Sequence, residues 1–348
     1  MISTELRNIR HCSYEEIESH FLEIGEKKFR AKQVYEWLWQ KQVQHFDEMT
    51  NLSKELRTHL QNHFSFPALE TELQQFSSDG TIKNRFKTFD NHFIEGVLIP
   101  TEKRQTACVS SQVGCSLTCK FCATGYLNRK RNLEFDEIFD QVVLINKMAQ
   151  QVFNKKLSNI VFMGMGEPLL NYKNVLKAIE KITSPEALGM SPKRITVSTA
   201  GVTKMIQQLG DDEVKFNLAL SLHAANDIKR NEIMPINETN NLKTLIDSLN
   251  YFYKKTQNEI SFEYILFKDF NDSEEDAREL IKIYRQVPVH MVNIIEYNPI
   301  ENASFQKPSE IVTDKFMAIL SKNKVNSHLR RSRGKDIDAA CGQLANKN

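Results

Sequence analysis

No stretch of the 348-residue sequence stays apolar long enough to cross a bilayer. The longest runs, such as Ile160 to Met163, fall far short of the about 20 residues a membrane helix needs. The opening MISTELRNIRHCSYEEIE lacks an apolar core of signal-peptide length. Internal repeats and low-complexity tracts are missing too. Neither charge dominates: 46 Lys plus Arg stand against 44 Asp plus Glu, a net +2, so any nucleic-acid site has to be a local basic patch. These absences predict a cytoplasmic protein without membrane contact, in a compartment that keeps thiols reduced. Cysteine is sparse, six in all, yet four fall between Cys108 and Cys122. In a reducing compartment such clustering points to metal binding or catalysis rather than to a disulfide scaffold.

What is present suits one large domain with a small one attached. Hydrophobic residues make up 41% and charged residues 26%, as in an ordinary globular protein. Residues 1–90 read as a separate, mostly helical unit. Lys27 to Val43 places Ala31, Val34, Trp37 and Leu38 near one face, and Leu52 to Phe64 is a second helical candidate. Ser77 to Gly80 is a turn signal, and Phe86 to Pro100 alternates like hairpin strands.

From about residue 91 short apolar runs alternate with amphipathic stretches. The runs are Ala107 to Val109, Ile160 to Met163, Ile195 to Val197, Phe216 to Leu222, Ile260 to Leu266 and Met291 to Ile295. Helices are expected at Phe135 to Gln150, Tyr172 to Ile182, Leu242 to Lys254, Ser273 to Val287 and Ser309 to Lys322, with Asn271 or Asp272 capping the fourth. Strand and helix alternating about six times predict an α/β fold with a parallel sheet. The pattern suits a partial (β/α) barrel and an open doubly wound sheet equally. Both gather their chemistry at the carboxyl ends of strands.

The sharpest feature is Cys115-Ser-Leu-Thr-Cys119-Lys-Phe-Cys122, just after the first strand candidate. Three thiolates on one loop suit three corners of a cubane iron–sulfur cluster and leave the fourth iron open for a substrate. The alternative is a structural zinc, which normally takes four protein ligands; Cys108 is the available fourth thiol, and no His lies within the cluster. Gly164-Met165-Gly166-Glu167-Pro168 follows the second run, where glycines let a ligand approach backbone and a carboxylate suits an ammonium group. Ser198, Ser221 to His223 and Asn298 end or follow later runs, where capping and turn roles are the ordinary ones. Basic residues cluster at Lys27, Lys28, Arg30 and Lys32, at Arg129 to Arg131, and at Arg330, Arg331, Arg333 and Lys335.

Cys115, Cys119, Phe121 and Cys122 match the C-x3-C-x-aromatic-C signature of the radical S-adenosylmethionine superfamily. The stretch from Cys108 to Gly125, with FMGMGEPLLN (162–171), SLHA (221–224), MPIN (234–237) and DIDAACGQLA (336–345), resembles the RlmN/Cfr family of adenosine methyltransferases. The match runs in order from about residue 90 to the C-terminus, and more loosely over the first 90 residues.

The resemblance implies a partial (β/α)6 radical-SAM barrel over 91–348, with 1–90 an RNA-binding accessory domain. It implies a [4Fe–4S] cluster on Cys115, Cys119 and Cys122, and S-adenosylmethionine held by Gly166, Glu167, Ser198, Ser221, Leu222, His223 and Asn298. Two molecules of S-adenosylmethionine would be used per turnover: one methylates Cys341, and the other is cleaved to a radical that activates the methyl group for attack on adenine. Glu95 is implied as the proton acceptor, and Cys108 as the thiol that resolves the protein–RNA adduct by a transient disulfide with Cys341. The implied substrates are 23S rRNA in the peptidyl-transferase region and some tRNAs beside the anticodon. An electron donor such as flavodoxin is implied, and a monomer is expected. Pro168 after Glu167 is similar to RlmN-type sequences acting at carbon 2, where Cfr-type sequences acting at carbon 8 carry Ala. A zinc-bearing RNA-binding module is the reading from a different class. Cys12 matches nothing.

Overall fold

A computed structural model describes residues 6–347. Strand β1 (Arg7–Asn8) leads into helices α1 (Tyr14–Glu23), α2 (Phe29–Trp39) and α3 (Lys54–His63), and β2 (Phe64–Ser65) returns to pair with β1. Ser13 and Ser53 start α1 and α3 by accepting hydrogen bonds from the Glu16 and Leu56 amides. Glu16 closes the capping box on the Ser13 amide at 2.7 Å. The helix expected over 27–43 is shorter than its pattern, because the backbone turns left-handed at Gln42 (φ 55°).

Strands β3 (Glu70–Phe76), β4 (Ile82–Lys87) and β5 (Phe93–Pro100) form an antiparallel meander, with the Ser77 to Gly80 turn between the first two. After β6 (Gln105–Cys108), the short pair β7 (Gln112–Val113) and β8 (Arg131–Asn132) brackets the cysteine loop. Helix α4 (Phe135–Phe153) then opens a regular alternation. It runs through β9 (Asn159–Phe162), α5 (Tyr172–Thr183), β10 (Ile195–Thr199), α6 (Thr203–Asp211) and β11 (Asn217–Ser221). It continues with α7 (Asp227–Ile233), α8 (Leu242–Thr256), β12 (Ile260–Leu266), α9 (Glu274–Tyr284), β13 (Val289–Glu296), α10 (Glu310–Lys322) and β14 (Ser327–Arg330).

The ten strands of the main sheet lie in the order β14-β13-β12-β11-β10-β9-β6-β5-β4-β3. Pairing is parallel from β14 to β6 and antiparallel from β6 to β3. A doubly wound sheet reverses its strand order at a switch point. Here the order never reverses, so the fold is a partial barrel of the radical-SAM kind, with every parallel carboxyl end on one rim. The sheet gains a seventh parallel strand, β14, whose Ser-His-Leu-Arg sequence gives no apolar run.

The cap of α9 differs from expectation. Ser273 accepts from the Asp276 amide and Asp276 bonds back to Ser273, completing a capping box. Asn271 is buried instead and satisfies the Phe267 amide and the carbonyls of His223 and Ile265, each at 2.7 Å. A sharp loop at a strand's end leaves those backbone groups without sheet partners, and an amide side chain serves both kinds. Among the described residues no helix is long and apolar enough to cross a membrane.

A buried ionic knot fastens the N-terminal helices to the barrel. The Arg10 guanidinium meets Asp140 at 2.6 Å and Asp136 at 2.9 Å on α4, and also donates to the Pro67 carbonyl. Trp39 of α2 stacks on Phe135 at 6.1 Å between centroids. Removing Arg10 leaves two carboxylates buried without their cation. Arg10→Ala should therefore cost about 3–5 kcal/mol in denaturant unfolding at neutral pH. Without the guanidinium both folded carboxyls hold their protons more tightly than the unfolded ones. Stability of the variant should then rise, relative to wild type, as pH falls through the weakly acidic range. A variant equal to wild type in urea titrations at pH 7 would show that the knot contributes nothing.

Candidate active site

The cysteine loop closes over the barrel rim. The Cys115 amide donates to the Leu127 carbonyl at 3.1 Å and the Cys122 amide to the Cys119 carbonyl at 3.2 Å. Gly125 packs flat against this turn: a Cβ there would stand 2.8 Å from the Cys119 carbonyl oxygen, so a side chain at 125 would push the loop open. Beside it the backbone of Gly166 is left-handed (φ 95°), and a Cβ would meet Gln112 at 2.5 Å. That close approach lets the Gln112 side-chain carbonyl accept from the Glu167 amide at 2.9 Å.

The three thiols share a cavity of about 150 Å³ with Gly166, Glu167, Ser198, Ser221, His223 and Cys341. Burial raises all three thiols, Cys115 to about 11, Cys119 well above the usual range and Cys122 upward, and the thiols add to one another. Among the described residues no three His, Cys, Asp or Glu side chains form a group that would hold a single metal ion. The donor set is three enclosed thiols on one loop, each costly to ionise alone, and a cationic iron–sulfur core offsets that cost. Thiolate ligands of this number and spacing fit such a core.

The cofactor candidates divide into two groups. Glu167 is buried, which pushes its carboxyl up, and its oxygens accept from the Ala200 amide at 2.8 Å and the Leu169 amide at 3.0 Å. Ser198 and Ser221 approach each other at 3.4 Å. His223 has left-handed backbone (φ 54°), sits edge-on to Phe121 at 4.7 Å, and accepts from the Ile265 amide on Nδ1. Burial, followed by the nearby Arg230, pushes its pKa down to about 3, so it is a neutral imidazole at physiological pH. Leu222 and Asn298 stand outside the cavity lining. The Leu222 side chain is fully buried and its carbonyl accepts from Arg230, while Asn298 donates to the Cys341 carbonyl at 3.2 Å.

Cys341 is the meeting point of two cavities. It lines the thiol cavity and an adjoining one of about 250 Å³ that contains Cys108, Val161, Met163 and Arg330. Both cysteines are free thiols. Burial pushes Cys108 up to about 12, with Cys341 adding to the shift and Arg330 opposing it. Glu95 lies beneath the segment that carries Cys341: one carboxylate oxygen accepts from the Ala345 and Asn346 amides at 2.8 and 3.1 Å.

Two residues at the site had no sequence signal, and a third was read only as part of a basic cluster. Arg230, in the charged stretch DIKRNEI, reads as a solvated helix face; it is fully buried and donates to the carbonyls of Leu222, Ala200 and Ser221 and to Asn237. Glu263 on β12 lines the cavity with one oxygen lacking a hydrogen-bond partner. Arg330, from the basic cluster shortly before Cys341, lines both cavities and lies 3.7 Å from Glu263.

The other basic runs are partly committed. Arg131 is bound bidentate by Asp90 and Glu137 at 2.6 to 2.8 Å, Lys28 pairs with Glu18, and Lys335 pairs with Glu296. Lys27, Lys32, Arg129 and Lys130 remain solvent-exposed. Tyr126 is exposed and donates to the Lys120 carbonyl. Cys12 is buried in the N-terminal unit, which raises its thiol.

Comparison with known proteins agrees with this architecture. Residues 7–65 match the ribosomal RNA large subunit methyltransferase N-terminal domain, and residues 109–281 match the radical SAM superfamily. A dual-specificity RNA methyltransferase RlmN of Cytophaga hutchinsonii is 57% identical over 99% of this chain and 95% of its own length. A namesake from Christiangramia forsetii is 55% identical over 98% of this chain and 97% of its own. The crystal structure of a radical SAM methyltransferase from Sphaerobacter thermophilus, 36% identical, superposes with a TM-score of 0.91 over 97% of this chain and 99% of that one. The cysteine loop on the rim of a sequentially ordered partial barrel, and likeness over nearly the whole length, place this chain in the RlmN family of radical S-adenosylmethionine RNA methyltransferases.

Proposed function

We propose that this protein methylates carbon 2 of an adenosine in RNA, by way of a methyl group on Cys341 and a covalent protein–RNA adduct. The observation that carries the proposal is the position of Cys341 between the cavity of the three loop thiols and the cavity of Cys108. Carbon 2 of adenine is electron-poor and does not attack a sulfonium methyl directly, so the methyl carbon has to be activated on the protein.

Cys115, Cys119 and Cys122 hold a [4Fe–4S] cluster, and Gly166, Glu167, Ser198, Ser221 and His223 take up S-adenosylmethionine, with Leu222 contributing backbone and Asn298 holding the Cys341 carbonyl. One S-adenosylmethionine would methylate the Cys341 thiolate; when bound, the cluster and a second S-adenosylmethionine would supply the one-electron chemistry, giving an electron for removal of a hydrogen atom from that methyl group and taking an electron back once the carbon has joined the base. Cys341 then carries the carbon onto the unstacked base. Glu95 takes the proton from the substituted carbon. The Cys108 thiolate attacks the Cys341 sulfur; a sulfur–sulfur bond forms, the carbon–sulfur bond breaks with its electron pair going to carbon, and that carbon takes a proton. A dithiol reductant restores the two thiols.

Substrates of the same reading are 23S rRNA and tRNA. Residues 1–90 and the exposed Lys27, Lys32, Arg129 and Lys130 supply phosphate contacts. The enzyme acts in the cytoplasm as a monomer, with an electron donor such as flavodoxin. Pro168 supports carbon 2 over carbon 8.

Replacing any one of Cys115, Cys119 or Cys122 by Ala should remove the visible absorbance of the anaerobically purified protein. Full iron and sulfide content in such a variant would overturn the ligand assignment. Nucleosides from RNA treated with the enzyme should contain 2-methyladenosine; a predominance of 8-methyladenosine by chromatography against both standards would place the reaction at the other carbon. Cys108→Ala should keep its cluster, accept a methyl on Cys341 and stall with RNA covalently attached, visible as a nuclease-sensitive slow band in denaturing gels. Cys341→Ala should form no adduct. A Cys108→Ala protein free of both RNA and the Cys341 methyl would rule out this division of labour.

A further inference from the structure

The sheet register puts an unexpected cation beside Glu95. Lys83 on β4 pairs opposite Val97 on β5, Arg85 pairs opposite Glu95, and Val97 pairs opposite Cys108 on β6. Side chains alternate along strands, so Lys83, Arg85, Glu95 and Cys108 share one face of the sheet. Lys83 is only 4% exposed and Glu95 fully buried. The Lys83 ammonium lies 3.5 Å from Glu95 Oε1 and 3.5 Å from the Asp338 carbonyl, three residues before Cys341.

The surroundings leave this ammonium a specific part. Glu95 Oε2 accepts from the two tail amides, whereas Oε1 has no hydrogen-bond partner. Arg85 faces Glu95 across the strands, but its guanidinium is bound by Glu72 at 2.6 and 3.0 Å and reaches the Asn346 and Lys347 carbonyls at 3.4 Å. Burying a lysine is costly unless its charge is matched, and a buried carboxylate likewise needs a cation or hydrogen-bond donors beside it. Lys83 and Glu95 meet both needs for each other.

We propose that Lys83 is a positioning residue for the proton-transfer step. Its ammonium, between Glu95 Oε1 and the Asp338 carbonyl, fixes the carboxylate against the segment that carries Cys341. The proposal rests on the reading of Glu95 as the base. The proton passes from the substituted carbon to Glu95; Lys83 neither gives nor takes one, and its bond to Asp338 persists after Glu95 is neutralised.

The test compares Lys83→Met, Lys83→Arg and Glu95→Gln as cluster-loaded full-length proteins, with an unmodified 23S rRNA transcript. Three readouts are taken: visible absorbance of the cluster, methylation of Cys341 by mass spectrometry, and the rate at which covalent RNA adduct is released. Lys83→Met should keep the cluster and the Cys341 methyl but release the adduct slower by roughly a factor of 100, the low end of what a positioned general base contributes. Lys83→Arg should recover most of that rate. Release by Lys83→Met at the wild-type rate, while Glu95→Gln stalls, overturns the role of Lys83 and leaves Glu95 as the base. Equal loss of cluster, methylation and release in Lys83→Met, without recovery in Lys83→Arg, reduces Lys83 to a folding residue. Normal release by Glu95→Gln removes the base itself, and the inference with it.

Discussion

The docking of residues 338–347 across the barrel rim is the interaction on which the site depends. Ala339 and Leu344 join the hydrophobic core, and hydrogen bonds to the backbone of the segment fix its course. Glu95 and Asn298 hold it from the barrel side, and Gly342 accepts from the Ala123 amide at 2.7 Å. Thr124, two residues after the last loop cysteine, donates to the Leu344 carbonyl at 2.7 Å. The cysteine loop and the Cys341 segment therefore fix each other's position. Backbone bonding of this sort leaves the Cys341 side chain free of structural duty, and its thiol projects between the two cavities rather than into the core.

Electrostatics inside the barrel follow from the same enclosure. Burial raises the three loop thiols, Cys108 and Glu167, and lowers His223. Each shift opposes charge. Buried cations stand among these groups: Arg230 gathers strand-end carbonyls under the thiol cavity, Arg330 opposes the shift of Cys108, and Lys83 stands by Glu95.

Much of this was legible in the sequence because it is local. The cysteine loop, the glycine turn before Glu167 and the strand ends at Ser198 and Ser221 are each encoded within a few residues. The run-and-helix alternation located six of the parallel strands, since buried strands leave apolar runs. Register and order were not legible. The choice between partial barrel and doubly wound sheet depends on which strands neighbour which, and periodicity carries no such information. Strand β14 and helices α1, α6 and α7 were missed, being short or weakly apolar. Arg230 was invisible because a charged residue among charged neighbours reads as surface; Arg330 stood out only as one of a basic run, and Glu263, inside the apolar run Ile260 to Leu266, gave no sign that it lines the cavity. Asn271 misled for a related reason: an Asn before a helix is a good cap, but here the loop's backbone needs its amide more than the helix does.

The bonds from Glu95 to Ala345 and Asn346 join positions 250 and 251 residues apart in the chain. Contacts of such separation form late, because the intervening loop must first be shortened by everything folding between them. During synthesis β4 and β5 emerge and pair long before their distant partners exist. Throughout that interval Glu95 lacks the Ala345 and Asn346 amides, while Lys83, twelve positions away, has already been made. The surroundings of Glu95 are therefore completed only when the last residues of the chain have been made and the barrel has closed against them.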